Sequence, residues 1–263
     1  MHAEIAVRTV VDNWRSLTGW VVGTTAAGVM YASFYPQLAN GQMAEAVASY
    51  PRALREALRM DDLTSAAGYL GSTVFGLILP LVVMLYGAFT GSRAVAGDEE
   101  SGYLDLILAH PVSRTRLVVE RFAALAAGAA GIGAAVFLAM LALRSAAELT
   151  DVSVAGFAAQ CLNLTLLGTV FGGFGVGLGA ATGRRGLVLA VTAVVGVVAY
   201  ALHAFARPLG LDAAATLSPF HHYLAGEPLR AGFQWTHTAV LAAVTAVLVA
   251  AGTLRFARRD IRT

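Results

Sequence analysis

Gly97-Asp98-Glu99-Glu100-Ser101-Gly102-Tyr103-Leu104-Asp105-Leu106-Ile107-Leu108-Ala109-His110-Pro111-Val112-Ser113-Arg114-Thr115-Arg116 is a long polar stretch set between two apolar runs of membrane-spanning length, and its reading decides the fold. Three consecutive acids, a glycine, a largely apolar run from Tyr103 to Leu108 that includes Asp105, and a Pro-Val-Ser-Arg corner predict a short amphipathic helix lying along a membrane surface. Asp98, Glu99 and Glu100 stand where their charge would favour the amino end of that helix. Gly102 lets the chain bend out of the preceding run and Pro111 stops the short helix. Ser113 is placed to cap the next helix, which passes through Arg114, Arg116 and Glu120 into another apolar run.

On both sides of this stretch the chain is greasy. Of 263 residues, 57% are hydrophobic and only 13% are charged, too few charges to clothe a water-soluble surface. Apolar cores at 17–35, 69–90, 122–143, 154–182, 186–206 and 237–254 contain no Asp, Glu, Lys or Arg. Each is close to the roughly 20 residues that cross a bilayer as helix. The expected fold is an all-α integral membrane protein, a single transmembrane domain over 1–263 with six transmembrane helices.

The connections have their own signatures. Residues 1–15 interleave Glu4, Arg8, Asp12 and Arg15 with Ile5, Val7, Val10, Val11 and Trp14, the pattern of an amphipathic interfacial helix and unlike a cleaved leader. In the first span Trp20 lies near one end and Tyr31, Phe34 and Tyr35 at the other, as aromatic belts do, and Pro36 is expected to end it. Residues 36–68 form an external loop containing a helix over 44–60 interrupted at Pro51. Pro80 frees a carbonyl in the second span and is expected to kink it. The fourth span carries Gly168, Gly172, Gly173, Gly175, Gly177 and Gly179, which permit close helix contact, either within the chain or along a homodimer seam. Residues 207–236, with Pro208, Pro219, Pro228, His221, His222 and Trp235, predict a short re-entrant or interfacial hairpin before span six. Adjacent histidines point different ways on a regular backbone, so interfacial hydrogen bonding is expected of His221 and His222, and no metal site.

Arginine sets the orientation. With both termini on one side, that side collects Arg8, Arg15, Arg93, Arg114, Arg116, Arg121, Arg184, Arg185, Arg255, Arg258, Arg259 and Arg262, against Arg52, Arg55, Arg59, Arg144, Arg207 and Arg230 on the other. The positive-inside rule then places the termini and the 97–116 segment in the cytoplasm and the chain, multi-pass, in the cell's inner (plasma) membrane.

Several function classes drop out. All eighteen basic residues are Arg, so the lysine that a phosphate-binding loop sends to its nucleotide does not exist here. Cys161 is the single cysteine, which leaves no disulfide framework and no thiolate metal cluster. An ion-coupled carrier usually keeps acids or broken helices at membrane depth, and the six cores hold no charge. An intramembrane enzyme needs a catalytic set, and His203, the one candidate in a core, has no acidic neighbour. No catalytic, cofactor-binding or metal-binding residue is expected, nor a nucleic-acid partner. A membrane scaffold stays open, and residues 97–116 read either as an ordinary helical corner or as a docking knob for a soluble partner.

The run Glu99 to Arg114 resembles the segment after the second span in permease subunits of ABC-2 type transporters, where a Glu-x-Gly-(Thr)-Leu-(Asp/Glu)-x-Leu-Leu-x-x-Pro-(Val/Ile)-x-Arg pattern recurs; Tyr103 stands where Thr is usual. The amphipathic start, six spans and polar hairpin before span six extend the resemblance along the whole chain, most closely to permeases of bacitracin-type exporters and NosY-like permeases. The resemblance implies a coupling helix over 97–116 seated on a separate nucleotide-binding ATPase subunit, present in two copies against a permease dimer. Asp98, Glu99, Glu100, Gly102, Leu104, Asp105, Leu108, Pro111, Arg114 and Arg116 would make that contact. It implies export of a hydrophobic or amphipathic compound, with ATP and Mg held by the partner and no cofactor in this chain.

Overall fold

The computed structural model describes residues 4–38, 50, 51, 55, 63, 65–102, 113–206 and 209–259. All regular structure among them is helical. In chain order the helices are α1 (Glu4–Asp12), α2 (Trp14–Ala32), α3 (Tyr35–Leu38), α4 (Ala66–Glu100), α5 (Arg114–Leu143), α6 (Val154–Thr182), α7 (Arg185–Phe205), α8 (Asp212–Ala215), α9 (Pro219–Leu224), α10 (Pro228–Ala231) and α11 (Trp235–Arg258).

Among the described residues five helices are long and apolar enough to cross a membrane: α4, α5, α6, α7 and α11. The expected first span does not qualify. Helix α2 has 19 residues, but Thr18, Gly19, Gly23, Thr24, Thr25 and Gly28 dilute its hydropathy. It also ends at Ala32 and not at Pro36, which lies inside α3. The aromatic belt is partly turned inward: Trp20 meets Tyr86 edge-on at 5.7 Å and Tyr35 is buried against Tyr69 at 5.6 Å. The amino-terminal helix stops at Asp12, with Asn13 between it and α2. The helix expected over 44–60 lies mostly outside the described residues.

Helix α6 is the axis, with α4, α5, α7 and α11 packed around it. It starts where Ser153 Oγ accepts from Gly156 N and ends at Gly183, whose φ of 64° is costly for any residue with a Cβ. Its glycines are spent within the chain. Gly168, Gly172, Gly175 and Gly179 face Gly87, Gly91 and Ala96 of α4, while Gly173 and Gly177 face Val249, Leu248 and Gly252 of α11. Without Cβ atoms the backbones approach closely enough for dispersion contact along their length.

Helix α4 runs from 66 to 100, well beyond the expected 69–90, and is irregular twice: Leu70–Ile78 and Arg93–Gly97 are wound as π-helix. Pro80 supplies no N–H where the winding changes back from π to α, and the carbonyl of Gly76 just before it takes a side-chain donor from outside the helix. Tyr200 Oη of α7 donates to it at 3.2 Å. Between α7 and α11, α9 dips into the bundle: Phe220 is fully buried, 5.5 Å from Phe171 and 5.3 Å from Tyr200. Outward, α7 exposes Val194, Val197 and Val198, while α1 exposes Val7 and Val11 and the first residue of α2, Trp14, continues their i, i+4, i+7 spacing.

Candidate functional site

The acid triplet closes α4. Asp98, Glu99 and Glu100 form the last turn of α4, which gives way to a turn at Ser101 and Gly102, where φ is 71°. Negative charge there opposes the helix dipole, so the placement must be offset from outside the helix. Successive helical side chains point about 100° apart, and the three acids accordingly fan out to three different elements. Asp98 Oδ2 meets Arg121 Nη2 of α5 at 2.6 Å, Glu99 pairs with Arg259 just beyond α11, and Glu100 Oε1 accepts from Arg185 N, the first residue of α7, at 2.8 Å.

The arginines extend the knot. Arg259 Nη1 donates to Ala180 O of α6 at 3.3 Å, and Arg114 Nη1 donates to Arg259 O at 2.5 Å with its guanidinium over the Phe256 ring. Gly183 leaves room for the Glu99 carboxylate, whose atoms would lie 2.5 Å from a Cβ at that position. Ser113 Oγ accepts from Arg116 N and starts α5. Arg116 Nε meets Glu120 Oε1 at 2.6 Å, and Glu120 Oε2 accepts from Ile5 N and Ala6 N at 2.9 and 3.1 Å. A carboxylate from α5 thus occupies the positive end of α1. Both described chain ends therefore meet at this end of the bundle.

Of the site residues expected from sequence, the structure brings together Asp98, Glu99, Glu100 and Arg114, and places Gly102 and Arg116 beside them. Leu104, Asp105, Leu108 and Pro111 lie outside the described residues, as does the 103–112 stretch as a whole. Sequence reasoning missed Arg121, Arg185 and Arg259 as the partners of the acids, and Glu120 as the anchor of α1. Their only signal was an excess of Arg on the same side as three acids, which says nothing about pairing.

At the opposite end lies a cluster that sequence did not join together. His222 Nε2 is 3.0 Å from the carbonyl of Thr216, which only accepts, so Nε2 carries the proton and Nδ1 of the neutral ring is a lone pair. That lone pair faces His237 Nδ1 of α11 at 3.1 Å. The rings of His221 and His203 follow at 5.2 Å from His222 and 6.4 Å from His221. Among the described residues no group of three or more His, Cys, Asp or Glu is arranged to hold a metal ion.

Burial pushes the His222 pKa down, as does the neighbouring His237, while the hydrogen bond to Thr216 pushes it up. A folded-state pKa below the unfolded value means that the unfolded chain takes up the proton first. Docking of α9 on α11 is therefore complete above the ordinary imidazole value of 6.5 and weakens as pH falls through it toward the lowered folded value. Loss of the His222–His237 hydrogen bond, on the order of 1 kcal/mol, should lower the melting temperature by about 2–4 °C. Melting curves in detergent at pH 7.5 and 5.5 should show that drop in the native protein and not in His222→Gln. Equal drops in both would refute the assignment.

A bundle of helices long and apolar enough to span a bilayer, with apolar side chains on its outer faces and its described charges near the helix ends, defines a multi-pass membrane protein. Residues 4–261 match the sequence model of the family described as ABC-2 family transporter protein, and the chain belongs to that family. No curated protein matches the chain significantly.

Proposed function

We propose that this chain is the permease subunit of an ABC transporter, exporting a hydrophobic or amphipathic compound on ATP and Mg bound by a separate ATPase subunit, with α2 as a sixth span. At 19 residues α2 is about 28 Å long, close to the roughly 30 Å hydrocarbon core. Six crossings return both termini to one side, and the arginine excess makes that side cytoplasmic. Helix α1, with Val7 and Val11 exposed and Trp14 of α2 following them, then lies in the interface. Two permeases and two ATPase subunits complete the assembly, as in the subgroup of bacitracin-exporter permeases and NosY-like permeases that the 99–114 run resembles.

The observation that carries this reading is the fan of Asp98, Glu99 and Glu100. The 103–112 segment leaves directly from the end of α4, where three adjacent residues are tied to α5, α7 and the end of α11. A push on that segment by a soluble partner reaches three membrane helices through short, charge-assisted contacts, and reaches α6 through Gly87 and Gly91. A secondary carrier would need ionisable groups at membrane depth; the charged side chains described here concentrate at the ends.

The test is ATP hydrolysis in proteoliposomes containing the permease and its ATPase subunit. Glu100→Arg should cut permease-dependent hydrolysis about tenfold, from a charge reversal worth one to two kcal/mol. Glu100→Gln, which keeps the acceptor for Arg185 N, should lose less than half. Full coupling in Glu100→Arg, or ATP hydrolysis by the purified permease alone, would overturn the proposal.

A further inference from the structure

A cavity of about 130 Å³ opens at the acid-triplet end between α1, α2, α4 and α5. One wall is aromatic: Trp20, Tyr86 and Phe89, with Trp20 5.7 Å from Tyr86 and 6.3 Å from Phe89. The floor is charged: Arg93, Asp98 and Arg121 are its only ionisable acids or bases apart from the Tyr86 phenol. Two guanidinium groups against one carboxylate leave the lining one positive charge in excess. Tyr86 turns its hydroxyl to Leu125 O at 2.8 Å, so its ring faces the space as an apolar surface.

Arg121 is not fully used by its neighbours. Its Nη2 takes Asp98 and its Nη1 donates to Thr9 Oγ1 at 3.2 Å, while its Nε is buried without a hydrogen-bond partner. A guanidinium with one N–H left over is incompletely paired, so the positive charge of the lining is not fully matched within the protein. Arg93 lies over the Phe89 ring, its guanidinium carbon 5.5 Å from the centroid, on the same wall as the aromatic surface.

Size limits the occupant. About 150 Å³ holds one benzene, so the enclosed part takes a phosphate- or carboxylate-sized group and not a whole large molecule. The mouth lies at the α1–α2 break, where Asn13 and Ser16 line the cavity and are exposed. Val7 and Val11 of α1 and Trp14 of α2 are exposed close by along the chain, apolar surface on which a tail could lie. A ligand that fits carries one anionic head, an aromatic-contacting neck and an apolar tail left in the bilayer.

We propose that this cavity binds the head of an anionic amphiphile entering from the membrane. Calling that amphiphile cargo depends on the transporter reading above; the binding site itself does not. The anion takes the Arg93 guanidinium and the positive excess that Arg121 contributes to the lining, while Asp98 keeps Arg121 in place.

The test uses the full-length permease without any ATPase, in maltoside micelles, with Trp14→Phe and Trp235→Phe so that Trp20 is the sole indole. Titration with dodecyl phosphate should give a saturable change in Trp20 fluorescence, and dodecyltrimethylammonium should give none. Arg121→Gln should weaken binding at least about tenfold, the loss expected for one charge-assisted hydrogen bond. Because Arg121 also holds α1, two variants outside that contact keep the test sound: Ala124→Leu, which fills the cavity without touching a charge, should abolish the response, and Arg93→Gln should weaken it several-fold. An equal response to the cationic chain, or unchanged affinity in both Ala124→Leu and Arg93→Gln, overturns the proposal. Displacement of dodecyl phosphate by millimolar inorganic phosphate alone would make this a free-anion site and overturn it as well. Absence of permease-dependent ATP hydrolysis in the native protein with dodecyl phosphate binding intact counts against the transporter reading only; hydrolysis without such binding counts against this one only.

Discussion

Gly87→Ala is expected to lower the melting temperature of the permease by about 3–10 °C, the equivalent of roughly 1–3 kcal/mol of overpacking. An ideal Cβ at residue 87 would sit 2.5 Å from Gly168 O and 2.7 Å from Gly172 N, both backbone atoms of α6. A side chain in the way could rotate; a backbone cannot, so α4 and α6 must separate. Gly91 repeats the arrangement one turn on, with Gly172 O at 2.6 Å, and a helix displaced at 87 therefore loses contact at 91 too. The control is Gly131→Ala in α5, where a Cβ would meet nothing within 4 Å. There the gain in helix propensity, up to about 1 kcal/mol, stands alone, and the melting temperature should hold or rise. Thermal unfolding of both variants in the same detergent decides the matter, and a Gly87→Ala protein as stable as Gly131→Ala would show that the α4–α6 seam is not tight.

Glu99→Ala is expected to cost about 2–3 kcal/mol, below the roughly 3–5 kcal/mol of a fully buried pair because the site touches solvent. The Glu99 and Arg259 side chains are 14% and 17% exposed, so removing the carboxylate strands a mostly desolvated guanidinium. Arg259 also donates to Ala180 O and its own carbonyl accepts from Arg114, so loss of Glu99 loosens the end of α11 from α4 and α6 together. Removing both partners removes the stranded charge. The double variant Glu99→Ala with Arg259→Ala should therefore be more stable than the sum of the single losses by at least about 1 kcal/mol. Chemical or thermal unfolding of the four proteins closes the cycle. Strict additivity would mean that the pair is an accident of the surface, and the mechanical route from α4 to α11 would go with it.

Local chemistry was legible wherever a residue acts on its own neighbours. Ser113 caps α5 as its place before Arg114 and Arg116 suggests, and Pro80 sits where the winding of α4 changes from π to α. The glycines of α6 announced close packing, though not with which helix. Two readings failed for one reason, that a charge was taken as a boundary. Arg93 and the acid triplet were placed outside the second span, yet α4 continues through both because Arg121, Arg259 and the α7 amino end offset charges that a lone helix would not carry there. Trp20 and Tyr35, assigned to a lipid-facing belt, turn instead toward Tyr86 and Tyr69.

By itself the sequence determined a membrane protein of apolar helices without a nucleotide loop, because segment length, the absence of lysine and the spacing of apolar residues are properties of the chain read a few residues at a time. The tertiary structure alone decided what the polar residues do. The partners of Glu99 and Arg259 are 160 positions apart, those of Ile5 and Glu120 are 115 apart, and His222 meets His237 from a different helix. Coulomb attraction and hydrogen bonding act through space over a few ångströms, and which distant residues come that close is set by the glycine-to-glycine contacts of α4, α6 and α11, whose register no local pattern encodes.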